Sequence, residues 1–417
     1  MEQDQGVRSA SSRGSLRRVV ATATVAATAL AGIGLAAGPA GAAKTARRAP
    51  HARSRSLSAA TLKQLAAQVA KAESVPSFTS PGPAVKNVAS LRGKKVMIIP
   101  GTTHIPTCVQ IADAAAQLAS AVGMKPTIFQ ASSGSQGWNQ GIEDAIHQHY
   151  AAVMLECALD PSQVAPAIAQ AQKAGVRVTA YGPTPAENAA TQLSAADADP
   201  YVQDLELSVA QALVQSKGKP FDALVIESQD SPSNPLQLEG FTTELKRYCP
   251  ACTYTTTNVN IASWANSFSS TTTAQLLSHP KANTIFAFYS GELPYLLSGI
   301  QSAHRTTIKS YGTFGGGNPD LQLQVQGVGK HIIMGDIFGD PTWTGYELFY
   351  QTALVLEHQK PKPLNSFYTP NRLATPQNAE SIIKTGGFGT AFVNDYRKLL
   401  GLSPLMGQAL VKASLAE

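Results

Sequence analysis

The fold class of this chain follows from the stretch Gly93-Lys94-Lys95-Val96-Met97-Ile98-Ile99-Pro100-Gly101-Thr102-Thr103-His104. Lys94 to Ile99 is a short apolar run opened by two lysines, which is typical of a buried parallel strand. Pro100-Gly101 cannot continue a strand, and the apolar spacing beyond it predicts a helix that starts near Pro106 or Thr107. Ligands in open α/β sheets lie at the carboxyl ends of the strands. We therefore predict that the loop from Pro100 to Cys108 forms one wall of a ligand site.

The β-loop-α pattern repeats along the chain. Strands are predicted at residues 125–130, 151–155, 176–181 and 191–196, and helices at 139–149 and 161–174. The pattern restarts after residue 200, with strands predicted at 222–227, 253–259, 284–288, 309–314 and 331–337. Helices are predicted at 201–217, 236–248, 264–277, 342–357 and in the segment that ends near residue 303. This order predicts an α/β fold of two doubly wound, Rossmann-like lobes.

Length and composition limit the class of protein. At 417 residues the chain is too long for one compact core, so two lobes are expected. Hydrophobic residues make up 43% and charged residues 14%, which argues against disorder in the main body. The formal net charge is +6, of which +2 lies before residue 43, and the remainder is not clustered. Because nucleic-acid-binding proteins concentrate basic residues on one face, we expect no nucleic-acid partner.

The N-terminus has the composition of an export signal. Three arginines form a basic start (Arg13, Arg17 and Arg18), an apolar stretch runs from Val19 to Ala37, and Ala40-Gly41-Ala42 matches an A-x-A cleavage site. We predict a signal peptide over residues 1–42, cleaved near Ala42, and an exported protein that is extracellular or associated with the cell envelope. A transmembrane anchor is the alternative interpretation, because the apolar run approaches spanning length. No Cys lies at the cleavage site, so the usual lipid anchor is not expected.

Two consecutive α/β lobes in an exported chain, with a late strand and helix left over, resemble a known family. This is the type I periplasmic-type solute-binding proteins, the ribose-binding group attached to ABC transporters. The resemblance is carried by the opening Gly93 to Pro100, by the helix-strand unit Ala169-Gln170-Ala171-Gln172-Lys173-Ala174-Gly175-Val176-Arg177-Val178, and by Glu239-Gly240-Phe241. It spans roughly residues 88–400. It implies a protein that closes by hinge motion around a small molecule and hands it to a membrane permease.

The resemblance also implies how the chain is divided. We expect a basic linker and lead-in helix over residues 43–87, a first lobe formed by 88–198 and 338–366, and a second lobe formed by 199–337 and 367–417. The chain would cross between the lobes near Ala196 to Pro200, near Ile337 to Pro341 and near Phe367 to Asn371. We expect a monomer without a cofactor or metal, whose partners are a small-molecule ligand and an ABC transporter permease.

Binding between two lobes requires polar groups and an aromatic platform at the facing strand ends. The candidates lie at or shortly after the ends of predicted strands. In the first lobe they are Thr102, Thr103, His104, Trp138, Glu156 and Tyr181, and in the second lobe Gln229, Asp230, Asn234, Trp264, Tyr289, Glu292, Phe314 and Asp336. Helix packing is the alternative role for Trp138, and a hydrogen bond at the hinge is the alternative for Asp336.

Two departures from the sugar-binding relatives bear on the ligand. Those relatives often carry an Asp-Arg pair after the fourth strand, which grips hydroxyl groups, where this chain reads Tyr181-Gly182-Pro183-Thr184. They also often carry an Arg before the second-lobe Gly-Phe, where this chain reads Asn234-Pro235-Leu236-Gln237-Leu238-Glu239. Without these cations a carboxylate or phosphate ligand is disfavoured. A sugar-like or other neutral, amphipathic or cationic solute fits better, with Glu156, Asp230 or Glu292 as counter-charges.

The chain contains four cysteines, and an even number in an exported protein suggests two disulfides. Cys108 and Cys157 follow the first and third strands, which are neighbours in the flavodoxin-like order 2-1-3-4-5, and we predict a bridge between them. Two separately buried thiols are the alternative. Cys249-Pro250-Ala251-Cys252 has the spacing of a redox motif, but that motif needs a strand before it and a helix after it. Here a helix precedes and a strand follows, so a structural disulfide is predicted. No second Cys or His pair has the spacing of zinc ligands.

Other functions lack their motifs. The glycine-rich run from Gly312 to Gly317 follows a strand, but it has neither the G-x-G-x-x-G order nor a Walker lysine. We therefore expect a flexible cleft loop there, not a nucleotide site. No G-x-S-x-G elbow is present, so an enzyme is not expected. Two alternatives to transport remain open: a ligand-sensing module of the same fold that serves a signalling partner, and an exported hydrolase.

Overall fold

The structure is a computed structural model that describes residues 57–130, 134–157, 159–363 and 369–415, apart from the side chain of Asn318. The first lobe is built on a parallel five-stranded sheet of order β2-β1-β3-β4-β5. Its strands are β1 (Lys95–Pro100), β2 (Lys125–Ile128), β3 (Ala152–Glu156), β4 (Arg177–Tyr181) and β5 (Ala195–Asp197). The buried faces of β1 and β3 explain why these strands are almost entirely apolar, as expected for a parallel sheet covered on both sides.

Helices cover both faces of the first sheet. They are α2 (Pro106–Ala121), α3 (Gly134–His147), α4 (Ala165–Lys173), α5 (Pro185–Thr191) and α12 (Pro341–Leu356). Alternate strand residues separate the two faces: Val96 and Ile98 share a core with α2 and α12, whereas Met97 and Ile99 share one with α3 and α4. The late helix α12, which is entirely buried, therefore completes the first lobe although it follows the second lobe in sequence.

The second lobe contains a parallel sheet of order β7-β6-β8-β9 and a three-stranded sheet of order β10-β11-β12. Their strands are β6 (Asp222–Glu227), β7 (Thr253–Asn258), β8 (Thr284–Ala287), β9 (Lys309–Tyr311), β10 (Thr313–Gly316), β11 (Asp336–Gly339) and β12 (Asn371–Ala374). Gly312 separates β9 from β10 with a φ of 86°, a conformation that glycine adopts without a steric penalty. Strand β12 runs antiparallel to β11.

The second-lobe helices also lie on two faces. They are α6 (Tyr201–Gln215), α7 (Asn234–Tyr248), α8 (Ser269–Ser278), α9 (Leu293–Ser302), α10 (Asn318–Val325) and α11 (Gly329–Ile332). Val225 and Phe286 pack with α6 and α7, whereas Leu224 and Ile285 pack with α8 and α9. The carboxyl ends of β6 and β8 are therefore held between two well-packed layers.

The lead-in segment belongs to both lobes. Helix α1 (Ala59–Glu73) buries Leu65 and Val69 in the second-lobe core, against Leu205 and Val209 of α6. Phe78, only five residues after α1, instead contacts the first-lobe ring of Trp343, with ring centroids 5.6 Å apart. The chain thus passes between the lobes once more, before the first sheet begins.

The C-terminal helices differ from the sequence-based expectation. They are α13 (Ala379–Thr385), α14 (Ala391–Leu399) and α15 (Gly407–Ser414). The resemblance predicts that residues 367–417 lie with the second lobe, but only β12 of the described part joins a second-lobe sheet. Helix α14 instead inserts Phe392 and Tyr396 into the first-lobe core, where Phe392 stacks on Trp343 with centroids 4.8 Å apart. The reason is that α12 carries large aromatic side chains, such as Trp343, and burying them against the apolar side chains of α14 is energetically favourable.

Two local predictions are also corrected. The segment 331–337 is not one strand, because Ile332 ends helix α11 and β11 starts only at Asp336. Helix α5 has no counterpart among the predicted elements, although Thr184 and Glu187 form a capping box at its start. Apolar side chains buried at a helix end, such as Ile332 and Ile333, resemble a strand when only the sequence is read.

Among the helices of the described residues, none combines the length and the apolar character needed to cross a membrane. The predicted signal peptide and most of the predicted basic linker lie outside the described residues.

Candidate functional site

The loop after β1 is fixed to its surroundings at several points. The amide of Gly101 donates a hydrogen bond to the carbonyl of Glu156, at 2.8 Å. The indole Nε1 of Trp138 donates to the carbonyl of Gly101, at 3.0 Å, from a position buried in the first-lobe core. The predicted disulfide between Cys108 and Cys157 is confirmed, and it joins the start of α2 to the end of β3. These contacts connect the loop after β1 to the end of β3 and to helix α3.

The predicted site residues on this loop are Thr102, Thr103 and His104, and no hydrogen bond among the described residues joins them to the other candidates. The amide of His104 donates to Thr102 Oγ1 at 3.1 Å, which is a local turn. Thr103 is half-buried, and His104 is exposed. Trp138 takes the alternative role of core packing and supports the loop from within the lobe.

Glu156 and Tyr181 end neighbouring strands and lie in one row with Asp197. Glu156 is fully buried, and neither carboxyl oxygen has a hydrogen-bond partner among the described residues. Burial raises its pKa well above the usual range, and nearby Asp113 adds to the shift. Tyr181 donates to Asp199 at 2.9 Å, and burial raises the pKa of Asp199 to about 7. This edge of the first lobe is therefore acidic and buried.

The second lobe gathers its candidates into two connected groups. Glu227 ends β6 and accepts hydrogen bonds from Asn234 Nδ2, at 3.0 Å, and from Gln229 Nε2, at 2.9 Å. Asn234 also accepts from the amide of Ser228, at 3.2 Å, so this group fixes the loop after β6. Asp230, on the exposed part of the same loop, accepts from the amide of Ile261.

The second group, here called the Trp264 cluster, consists of Ser228, Ser233, Trp264, Tyr289 and Glu292. Trp264 Nε1 donates to Ser228 Oγ at 3.0 Å, and Ser228 Oγ lies 3.1 Å from Glu292 Oε1. The rings of Trp264 and Tyr289 are 5.7 Å apart and inclined by 35°, and the hydroxyls of Tyr289 and Ser233 are 3.0 Å apart. Both rings are half-buried, while Glu292 is fully buried.

The backbone at Trp264 is unusual. Residues Trp264–Phe268 form a π-helical turn at the start of α8, where the sequence predicts an ordinary helix. Single π-turns are rare and occur frequently at functional sites. The turn brings the indole ring over Gly291, where any side chain would press against it.

Asp336 lies beside the Trp264 cluster. It accepts hydrogen bonds from Ser290 Oγ at 2.6 Å and from Thr313 Oγ1 at 2.7 Å, whereas its Oδ2 is buried without a partner among the described residues. Burial raises its pKa to about 7, and the neighbouring Asp320 contributes to the shift. Asp336 Oδ2 points at Gly316, so closely that no side chain could be accommodated there.

The contacts between the lobes include residues that the sequence did not single out. Tyr201 donates a hydrogen bond to the carbonyl of Gly182 at 2.7 Å and packs edge-on against Phe314, with ring centroids 5.4 Å apart. Thr107, at the start of α2, meets the backbone of Gly317 in the loop after β10. Tyr201 directly follows Pro200 at a predicted crossing between the lobes, so its position in the sequence could have indicated a contact between them. The contact of Thr107 with Gly317 joins residues 210 positions apart and has no local signal.

The second cysteine pair has a structural role. The predicted Cys249–Cys252 disulfide is confirmed between α7 and β7. The described residues include no group of three or more His, Cys, Asp or Glu side chains placed to hold a metal ion.

Comparisons with known proteins agree with this fold. The family model described as a periplasmic binding protein domain matches residues 96–360. Among curated protein sequences, none matches the chain.

Several solved structures share the fold. One is an ABC transporter solute-binding protein from Agrobacterium vitis with bound allitol, with a TM-score of 0.61 and 17% identity over 70% of this chain and 99% of that one. A second is a 5-methylthioribose transporter solute-binding protein from Thermotoga lettingae in complex with 5-methylthioribose, with a TM-score of 0.59 and 15% identity over 78% of this chain and 99% of that one. A third is an ABC transporter solute-binding protein from Mycobacterium smegmatis with bound glycerol, with a TM-score of 0.60 and 18% identity over 70% of this chain and 97% of that one.

The predicted fold and the predicted family are both confirmed by these matches. Since the family match covers more than half of the sequence, the chain belongs to the periplasmic binding protein domain family.

Proposed function

We propose that this chain is an exported protein that captures a small solute between its two lobes and delivers it to an ABC permease. The observation that carries the proposal is the Trp264 cluster, in which two half-buried aromatic rings stand over a buried serine and carboxyl group at the carboxyl ends of strands. An aromatic face with a few convergent polar groups is the usual composition of a small-molecule site.

The opposing wall supports the same interpretation. The first lobe presents the fixed loop after β1 and the row of Glu156 and Tyr181. The packing of Tyr201 on Phe314 and the contact of Thr107 with Gly317 bring the two walls together. We propose that the lobes close about the crossings after β5 and β11, as hinge-closing binding proteins do.

Solved relatives of the same fold bind hydroxyl-rich molecules, namely allitol, 5-methylthioribose and glycerol. A solute of similar size, either sugar-like or otherwise neutral, amphipathic or cationic, is therefore proposed for this chain. We also propose that the signal peptide is removed near Ala42 and that the mature protein acts as a monomer outside the cytoplasm.

The test is a binding screen on the mature protein, made in an oxidising compartment. Sugars, alditols, nucleosides and amines are screened by thermal shift, and hits are confirmed by isothermal titration calorimetry. Trp264→Ala is expected to weaken binding of any hit at least tenfold, because it removes an aromatic face and the donor to Ser228. Leu277→Ala, at an exposed position of the adjoining helix α8, is the control and should leave binding unchanged.

The fate of the solute separates the alternatives. Recovery of the unchanged solute, and its uptake only by cells that contain the chain and the matching permease, would support transport. Turnover of the solute would contradict the proposal in favour of an enzyme. A hit that binds reversibly but is never taken up would favour a sensing module. Unchanged affinity in Trp264→Ala would mean that the ligand binds elsewhere on the protein.

A further inference from the structure

The strand-end loops of both lobes are rich in carboxyl groups and poor in cations. We propose that the ligand carries a positively charged nitrogen group, as in an amino sugar or an amino alditol, and that the buried carboxyl groups beside the Trp264 cluster supply its counter-charge. This inference rests on the proposed function and specifies its ligand class.

The charge imbalance is local. The carboxyl groups at or beside the strand ends that form the site include these six: Glu156, Asp199, Glu227, Glu292, Asp320 and Asp336. In the described loops that follow the strands' carboxyl ends, the basic residues are limited to the exposed His104. The whole chain, by contrast, has a formal net charge of +6. Carboxyl groups are thus concentrated where the ligand is expected.

The chain does not neutralise these groups itself. Ion pairs in the described part of the chain include Lys94–Glu357 and Arg247–Glu244, but none of the six carboxyl groups pairs with a described Lys, Arg or His. Buried charges in proteins are normally paired or hydrogen-bonded throughout. Glu227 and Glu292 have neutral donors, but both oxygens of Glu156 and Oδ2 of Asp336 have no partner among the described residues.

One of these unpartnered oxygens is directed at the boundary between the lobes. Asp336 Oδ2 faces Gly316, and the next residue, Gly317, meets Thr107 of the first lobe. Asp336 is only 1% exposed, so the oxygen lies directly behind the glycine loop that closes this edge of the site. A cation bound against this loop would be attracted by a nearby carboxylate, and the attraction would be strong because the effective dielectric constant of a buried site is low.

The aromatic pair strengthens the case for a nitrogen cation. Ammonium and guanidinium groups are attracted to the faces of Trp and Tyr, and the attraction grows when water is excluded. Trp264 and Tyr289 present such faces, with the carboxyl group of Glu292 behind them. The described residues also lack a group of ligands placed to hold a metal ion, so an organic cation fits this site better than an inorganic one.

A cation would be bound with release of protons. Burial raises the pKa of Asp336 to about 7, so part of this group is protonated at neutral pH, and burial shifts the pKa of Glu292 in the same direction. A positive charge nearby favours ionisation of a carboxyl group. A neutral solute gives no such release.

The experiment compares matched probes that differ in a single group. D-glucamine and D-glucitol differ only by an amine in place of a hydroxyl, and glucosamine and glucose form a second pair. Titration calorimetry on the full mature protein, at pH 7 in two buffers of different ionisation enthalpy, gives both the affinity and the number of protons released. We expect the amine of each pair to bind at least tenfold more tightly, with proton release, and we expect this preference to shrink at high salt.

Variants locate the effect. Glu292→Gln and, separately, Asp336→Asn should reduce the affinity for the amine at least tenfold more than they reduce the affinity for the neutral partner. Glu239→Gln, at an exposed position of α7 in the same lobe, should change neither affinity. If one of the two site variants fails to fold, the other variant and the number of protons released still test whether the buried carboxyl groups bind the amine.

Each outcome has a defined meaning. Equal or tighter binding of the neutral partner would overturn the charged-ligand inference and leave the proposed solute-binding function intact. Binding of neither member of either pair, together with no hit in the wider screen, would contradict both. Proton uptake, or none, on binding of the amine would overturn the assigned role of the buried carboxyl groups.

Discussion

The two lobes hold their sides of the site by different means. In the first lobe, a disulfide, a backbone hydrogen bond to Gly101 and the buried ring of Trp138 fix the loop after β1. In the second lobe, the loops after β6 and β8 are joined by side-chain hydrogen bonds centred on Ser228 and Asn234. We propose that the first lobe supplies a fixed wall of the site, whereas the second lobe supplies most of the chemical recognition.

The largest effect is expected from the disulfides, of which each lobe has one. The Cys108–Cys157 bridge spans 49 residues and the Cys249–Cys252 bridge spans 3. The loop-entropy relation then gives a loss of about 4 kcal/mol for Cys108→Ala with Cys157→Ala, and about 2 kcal/mol for Cys249→Ala with Cys252→Ala. Urea unfolding of the two double variants measures both.

The order of the two losses is the informative result. Equal losses would mean that the first-lobe loop is held mainly by its other contacts, and the contrast between a covalently fixed wall and a hydrogen-bonded one would then fail.

The next effect concerns the pH dependence of stability. Burial raises the pKa of Asp336 from 3.8 to about 7. Between about pH 4 and 7, the folded protein therefore keeps a proton on this group that the unfolded chain has already lost. Stability is therefore expected to fall as the pH rises through this window, by about 2 kcal/mol between pH 5 and 7 from this group. Asp336→Asn should flatten the corresponding part of the profile in urea titrations.

A profile that keeps its full slope in Asp336→Asn would show that the second-lobe network does not depend on the protonated form of this side chain.

A smaller loss is expected at the point where the lobes meet. Gly317 has ordinary extended backbone angles, with φ −115° and ψ −175°, so Gly317→Ala adds no backbone strain. Its new methyl group would overlap Thr107 of the first lobe, and we expect a loss of about 1–2 kcal/mol or a partly opened protein. Unfolding curves and small-angle X-ray scattering distinguish these two results.

Thr107→Ala in the same chain should restore most of the loss, because it removes the overlapping atoms. Failure of this second change to rescue Gly317→Ala would show that the two lobes do not touch here in solution.

The smallest effects separate the two tryptophans. Trp138→Phe removes the donor to Gly101 and should cost about 1 kcal/mol of stability with little change in affinity for a confirmed ligand. Trp264→Phe removes the donor to Ser228 and should lower that affinity several-fold with little change in stability. Thermal unfolding and calorimetric titration of both variants give the comparison. The reverse pattern would exchange the roles assigned to the lobes.

The strands and most of the second-lobe site could be predicted because their signals are local. Tyr289 and Glu292 follow the apolar run of β8 closely, and the carboxyl end of a parallel strand is where polar site residues belong, whereas Glu227, the last residue of β6, is not among the predicted site residues. The packing of α14 on α12 could not be predicted, since it depends on aromatic faces that lie far apart in the sequence. The π-turn at Trp264 and the contact of Thr107 with Gly317 likewise depend on tertiary packing, which no short window of sequence contains.

The placement of α1 and α14 has a consequence for how the protein is made. Helix α1 leaves the ribosome before either lobe, yet its partner α6 is synthesised only after the whole first sheet. The first sheet is complete by residue 197, but α12 and α14, which cover one of its faces, come at the other end of the chain. Domains of a chain generally fold one after another as they emerge. Here the first-lobe core that contains α12 and α14 cannot be completed until nearly the last helix has been made, whereas the buried residues on the opposite face of the same sheet all lie between Met97 and Ala180.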